Sequence, residues 1–269
     1  MTKIGFIGAG NMAGAIVKGI TESAFVPAND IYVYNIHMEG AKKMAQRYGI
    51  NACETLNALI DQADYIVLSI KPQVMPTVLN DLKTMISGKK KVLVSIAAGI
   101  TLDGISQHLT TDNTQGIIRV MPNLNVSTLA GASAVAGNEF VNADQIDFVQ
   151  AMFNTLGKAW ILDEKHFSTF TALAGSMPAY VFLFIDSIAR AGVKHGLPKN
   201  MADEIATQAV LGSAQTLQSG SDSAWTMIDK VSSPGGTTVS GLLTLMETGF
   251  VSDVVAGIDA TIEKDQALK

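Results

Sequence analysis

Gly8-Ala9-Gly10-Asn11-Met12-Ala13 follows the apolar run Ile4-Gly5-Phe6-Ile7 and opens a stretch in which Met12, Ile16 and Ile20 recur at helical spacing. Strand, glycine turn and helix in that order can cradle a pyrophosphate. The first glycine permits the tight turn, the second lets the backbone approach the ligand, and Ala13 is small enough for close helix–strand packing. Phosphate oxygens would meet unpaired N–H groups at the positive end of the helix. Ile7, Gly8, Ala9, Gly10, Asn11 and Met12 are therefore the candidate contacts of a dinucleotide. Folds that bind NAD place an acid on the ribose 2′-hydroxyl at the end of the second strand. That place holds Asn35, followed by Ile36 and His37. An uncharged Asn35 does not repel a 2′-phosphate, which favours NADPH. No arginine follows to clamp that phosphate, so NADH stays open as the alternative donor.

Three more segments end strand-like runs, where ligands of open α/β sheets bind. They are Lys71-Pro72-Gln73, Ala97-Ala98-Gly99 and Met121-Pro122-Asn123. Lys71, Pro72 and Ala97 are expected to touch the cofactor. Further on, Ser232-Ser233-Pro234-Gly235-Gly236-Thr237-Thr238 interrupts a helical pattern that then resumes. Exposed N–H groups at a helix N-terminus, flanked by hydroxyls, suit a small carboxylate. The four histidines, His37, His108, His166 and His195, fit no catalytic or metal-binding spacing, and no metal is expected.

These residues need elements to place them. β-rich runs at 4–7, 31–34, 65–70, 91–97 and 116–121 alternate with helical stretches, among them 11–23 and 39–48. The third and fourth runs are almost continuously apolar, as in parallel strands covered on both faces. Short strands are also expected at 132–136 and 159–162. Alternation of this kind predicts βαβ units with right-handed crossovers. After about residue 163 only helical spacing remains, through 167–193, 198–217, 224–228, 239–246 and 250–262. The expected fold is α/β: a Rossmann-type doubly wound sheet over 1–162, then an all-helical domain over 163–269.

Composition narrows the function classes. Of 269 residues, 48% are apolar and 16% charged, with a net charge of −5. This excludes disorder, and no basic stretch exceeds Lys89-Lys90-Lys91, so no nucleic-acid partner is expected. The run from Phe167 to Ile185 is uncharged, but Ser168, Thr169, Thr171, Gly175, Ser176 and Pro178 interrupt it, so a buried helix is expected and no membrane partner. A single cysteine, Cys53, excludes an intrachain disulfide and fits a reducing, cytoplasmic setting. The shortage of charge points to surface hidden between subunits.

Taken together, residues 5–13, Lys71-Pro72-Gln73, Arg119-Val120-Met121-Pro122-Asn123, Gly175-Ser176-Met177-Pro178-Ala179-Tyr180 and Ser233-Pro234-Gly235-Gly236-Thr237-Thr238 resemble the pyrroline-5-carboxylate reductase family. The resemblance implies an NAD(P)H-dependent reduction of a small cyclic imine to proline. It also implies a homodimer made through the helical domain, and in many members a decamer. It places the substrate carboxylate on Ser233, Gly235, Gly236, Thr237 and Thr238, with Thr238 on the ring nitrogen as the catalytic group. Leu124-Asn125, Met177, Ile36 and Met246 depart from the usual pattern. A β-hydroxyacid dehydrogenase is the alternative reading, with Lys165 as its acid/base, although the glycine-rich approach to such a lysine is missing. A non-catalytic NAD(P)-binding regulator is the other.

Overall fold

In the computed structural model, which describes residues 2–109 and 114–267, apolar residues at successive strand positions explain why the sheet is covered on both faces. The strands are β1 (Ile4–Ile7), β2 (Ile31–Tyr34), β3 (Asn51–Ala52), β4 (Tyr65–Leu68), β5 (Val92–Ser95), β6 (Gly116–Pro122), β7 (Gly131–Gly137) and β8 (Gly157–Ile161). Ile4, Phe6, Val67, Val94, Ile118 and Val120 enter one core, with Ile16, Ile20 and Phe153. Ile7, Ile66, Leu68, Leu93 and Ile117 enter the other, with Leu59, Leu79, Leu82 and Ile105. A strand buried on both faces must be apolar at successive positions, which is why these runs lack a polar alternate.

The helices between the strands are α1 (Asn11–Glu22), α2 (Met38–Tyr48), α3 (Leu56–Gln62), α4 (Met75–Met85), α5 (Leu102–Leu109) and α6 (Ala143–Asn154). The sheet order is β3-β2-β1-β4-β5-β6-β7-β8. From β3 to β6 the strands are parallel, with Phe6 paired to both Val33 and Val67. The order therefore reverses between β1 and β4, and a crevice opens beyond their C-terminal ends. β7 runs antiparallel to β6, unlike the βαβ rhythm expected from the sequence. Only a short 3₁₀ turn, Leu124–Thr128, joins the two, and so brief a connection cannot cross over to a parallel neighbour.

After β8 come α7 (Phe167–Phe170), a π-helical turn (Thr171–Gly175), α8 (Met177–Lys194), α9 (Lys199–Ser219), α10 (Ala224–Val231), α11 (Thr237–Glu247) and α12 (Phe250–Gln266). The described chain divides into two compact units, one drawn from Met1–Gly175 with Ile262–Lys269, the other Ser176–Thr261. By packing, the division therefore falls after Gly175, later than the 162/163 boundary expected from the change of rhythm. The reason is that Phe167, Phe170 and Ala174 belong to the sheet's second core.

The second unit has almost no interior of its own. Only Pro178, Ala189, Ala202 and Ala206 are buried in it. Small residues let α8 and α9 approach closely: a Cβ on Gly192 would lie 3.2 Å from the Ala202 methyl. Lys199 joins the two helices by an ion pair to Asp186 at 3.2 Å. Meanwhile Phe182, Leu183, Phe184, Leu211, Leu243, Val251 and Val255 lie open to solvent. The helical run Glu164–Lys194 is long and apolar enough to cross a membrane, at a mean hydropathy of 1.5 over its most apolar window.

Candidate active site

At the β1–α1 turn, Gly8 has φ +106°, and a Cβ there would sit 2.5 Å from the Ser69 carbonyl oxygen. Only glycine tolerates both conditions. The Gly8 N–H donates to the Tyr34 carbonyl at 2.8 Å, which ties the turn to β2. The Ser69 hydroxyl, at the end of β4, lies 2.9 Å from the carbonyl oxygens of both Ile7 and Gly8. Gly10 is the N-cap of α1, in extended conformation and with no side-chain cap. A Cβ on Gly10 would meet nothing within 4 Å, so that side of the turn is open. The first N–H groups of α1 are left without a capping side chain and face this space. These residues fit a pyrophosphate.

Asn35 is engaged in shaping this turn. Its Oδ1 accepts the Ala9 N–H at 3.3 Å, and its Nδ2 donates to the His37 carbonyl at 2.9 Å. Beside the turn lies a cleft of about 430 Å³ between α1 and α2, lined in part by Gly10, Gly40, Lys18, Lys43 and Arg47. Its three cations suit an anionic ligand. Lys43 and Arg47 share one face of α2 by their i, i+4 spacing. Lys71 is exposed ahead of Pro72, which begins a 3₁₀ turn after β4, and Ala97 is buried just after β5. Ile7, Ala9, Asn11 and Met12 flank the two glycines. All the candidate cofactor residues thus gather at the C-terminal ends of β1, β2, β4 and β5.

In the second unit the interruption between α10 and α11 repeats the same device. Gly235 has φ +68° and Gly236, extended, is the N-cap of α11 with no side-chain cap. A Cβ on Gly236 would lie 2.6 Å from the Ser233 hydroxyl, so glycine keeps the turn tight. The Gly236 N–H donates to the Ser233 carbonyl at 3.0 Å, leaving the N–H groups of Thr237 and Thr238 at the helix start. Ser233, Thr237 and Thr238 are exposed. One group was not anticipated: the Ser232 hydroxyl is buried with no partner among the described residues. By contrast, burial pushes the Cys53 thiol up, away from the reactive thiolate. Lys165 pairs with Asp163 at 2.7 Å on the surface. Among the described residues no cluster of three or more His, Cys, Asp or Glu could hold a metal.

Known proteins match almost the whole chain. Residues 164–268 match the family described as pyrroline-5-carboxylate reductase dimerisation, and residues 3–99 match that described as NADP oxidoreductase, coenzyme F420-dependent. The pyrroline-5-carboxylate reductase of Escherichia coli K12 is 36% identical, over 99% of this chain and 98% of that protein. The solved structure of a pyrroline-5-carboxylate reductase from Coxiella burnetii has a TM-score of 0.95 at 30% identity, covering 100% of this chain and 98% of that one. The Plasmodium falciparum pyrroline carboxylate reductase, solved with NADP bound, has a TM-score of 0.85 at 29% identity, covering 99% and 98%. With a relative 36% identical over 99% of this chain and the dimerisation model matched at 164–268, this chain belongs to the pyrroline-5-carboxylate reductase family.

Proposed function

We propose that this protein reduces 1-pyrroline-5-carboxylate to proline with NADPH as preferred donor. The observation that carries this reading is that each unit presents an uncapped helix N-terminus entered through a glycine at positive φ. These are Gly8 to Gly10 before α1 and Gly235 to Gly236 before α11. One suits the cofactor pyrophosphate and the other a substrate carboxylate. The functional division follows the sequence reading, 1–162 for the dinucleotide and 163–269 for substrate and subunit contact.

When bound, NADPH supplies the hydride. The chain's part is to hold and orient. Gly8, Gly10 and Asn11 seat the pyrophosphate. Lys18, Lys43 and Arg47 supply positive charge beside it. The backbone of Gly235 and Gly236 and the hydroxyls of Ser233, Thr237 and Thr238 seat the carboxylate, and the Thr238 hydroxyl bonds the ring nitrogen. The carbon of a C=N bond is already electrophilic, so orientation alone can supply about 7–11 kcal/mol of barrier reduction. The ring nitrogen takes its proton from solvent, so no histidine acid is required. The test is initial-rate oxidation of NADPH and of NADH with this imine, against reduction of NADP+ and of NAD+ with a panel of 2- and 3-hydroxyacids. Turnover with the imine alone is expected, and turnover only with a hydroxyacid would move the protein to the dehydrogenase reading.

Homodimerisation through the helical unit, with a decamer as the larger assembly, accounts for the apolar side chains left open on α8, α9, α11 and α12. So few buried residues cannot stabilise a helical unit unaided. The burial of Phe167, Phe170 and Ala174 in the sheet's core favours the same covering over a membrane span, and a cytoplasmic setting goes with it. Light scattering at micromolar concentration is expected to give a dimer or a multiple of it. A monomer would contradict the assignment.

A further inference from the structure

β6 offers two unlike faces. Ile118 and Val120 enter the core that contains α1 and α6. Ile117, Arg119, Met121 and, in extended continuation, Asn123 alternate onto the other face. There, three side chains in succession meet a single stretch of chain. Arg119 Nη1 donates to Glu164 Oε1 at 2.8 Å, and its guanidinium lies 4.6 Å from the Phe167 ring centre. The Met121 methyl lies against Gly175, where an added Cβ would come within 3.3 Å of it. Asn123 Nδ2 donates to the Ala174 carbonyl at 3.0 Å, while its Oδ1 accepts the N–H groups of Asn125 and Ala132, both at 3.2 Å. Glu164 also accepts the Leu102 N–H at 2.8 Å, which anchors it to the start of α5.

The stretch so held, 164–175, contains the π-helical turn and is the covalent passage from the first compact unit to the second. π turns interrupt the helical ladder and are frequent at functional sites. Stability does not account for the contacts. Arg119 is 2% exposed, and its Nε is buried with no partner among the described residues. A buried ion pair returns little net stability, and an orphaned buried donor detracts from it. An apolar residue at 119 would pack Phe167 as well. What the pair and the Asn123 amide supply instead is direction: a fixed register between β6 and the passage.

We propose that Arg119 and Asn123, flanking Met121, are positioning residues whose hold on 164–175 sets the rate of hydride transfer. The proposal rests on the functional reading above, in which cofactor and substrate are bound by different units. Two variants test it. Asn123→Ala removes the hold on the Ala174 carbonyl. Gly175→Ala pushes the passage from the opposite side, against a Met121 methyl that can yield by a few tenths of an ångström, so the fold survives it.

The single-turnover rate of NADPH oxidation at saturating imine is expected to fall about tenfold in Asn123→Ala and by a smaller factor in Gly175→Ala, with NADPH Kd and imine KM within about twofold of wild type. A merely structural role would leave the single-turnover rate of the folded variants unchanged. That result, or a loss that follows NADPH Kd, would overturn the proposal. If Asn123→Ala does not fold, Gly175→Ala decides by the same readouts. The wild-type rate separates the two readings. No imine reduction by wild type overturns the functional assignment and this role with it, whereas normal reduction with unaltered variants overturns this role alone.

Discussion

Gly8→Ala is expected to weaken NADPH binding by about a hundredfold, roughly 2.7 kcal/mol. Two costs coincide at this position. The backbone sits at φ +106°, and the new methyl would lie 2.5 Å from the Ser69 carbonyl oxygen, a backbone atom that cannot turn aside. Strain of this kind costs about 1–3 kcal/mol, and its relief must move the turn that seats the pyrophosphate. Gly10→Ala is the partner experiment. Its methyl would meet nothing within 4 Å inside the protein, so it spares the fold and obstructs only the ligand. Fluorescence titration with NADPH, with circular dichroism as the check on folding, measures both. Wild-type affinity in both folded variants would remove the cofactor from this turn.

Thr238→Ala is expected to lower turnover by about tenfold or more while leaving NADPH Kd unchanged. Loss of a hydrogen bond to a charged group is worth about 1.5–3 kcal/mol, or about one to two decades in rate. Thr238 is exposed at the second position of α11, so its hydroxyl is free to serve a ligand and its removal leaves no cavity. Thr238→Ser keeps the hydroxyl and should retain most of the activity. Unchanged turnover in Thr238→Ala would end the assignment. A loss confined to KM would reduce Thr238 to a carboxylate contact, without a part in orienting the ring nitrogen.

The parts of this molecule written in local chemistry could be read from its sequence. Two-faced apolar strands such as Tyr65–Leu68, the glycine pair at 8 and 10, and Pro234-Gly235-Gly236 each meet a backbone or burial requirement that few other residues satisfy. The parts decided by partners distant in sequence could not be read. β7 reverses direction because of a short turn, and nothing in Gly131–Gly137 itself encodes that. The π-helical turn at Thr171–Gly175 lies inside what reads as one continuous helix. The packing boundary after Gly175 follows from Phe167 and Phe170 finding the sheet, a tertiary event.

The candidate site divides in the same way. Asn35 was visible as a residue type, but its hold on Ala9 and His37 was not. Ser69 and Arg47 come from elements distant in sequence, after β4 and on α2. Arg119 and Asn123 stand in a recognisable segment, yet their partners Glu164 and Ala174 lie some fifty residues away.

Hydride transfer to the imine carbon can be followed by isotope. Wild-type protein is incubated with 1-pyrroline-5-carboxylate and, in turn, each of the two forms of NADPH stereospecifically deuterated at the transferable position. The product is then analysed by NMR. With one of the two forms, proline carrying a single deuterium on the former imine carbon is predicted, and unlabelled proline with the other. No proline, or proline without deuterium at that carbon from either form, would contradict the account.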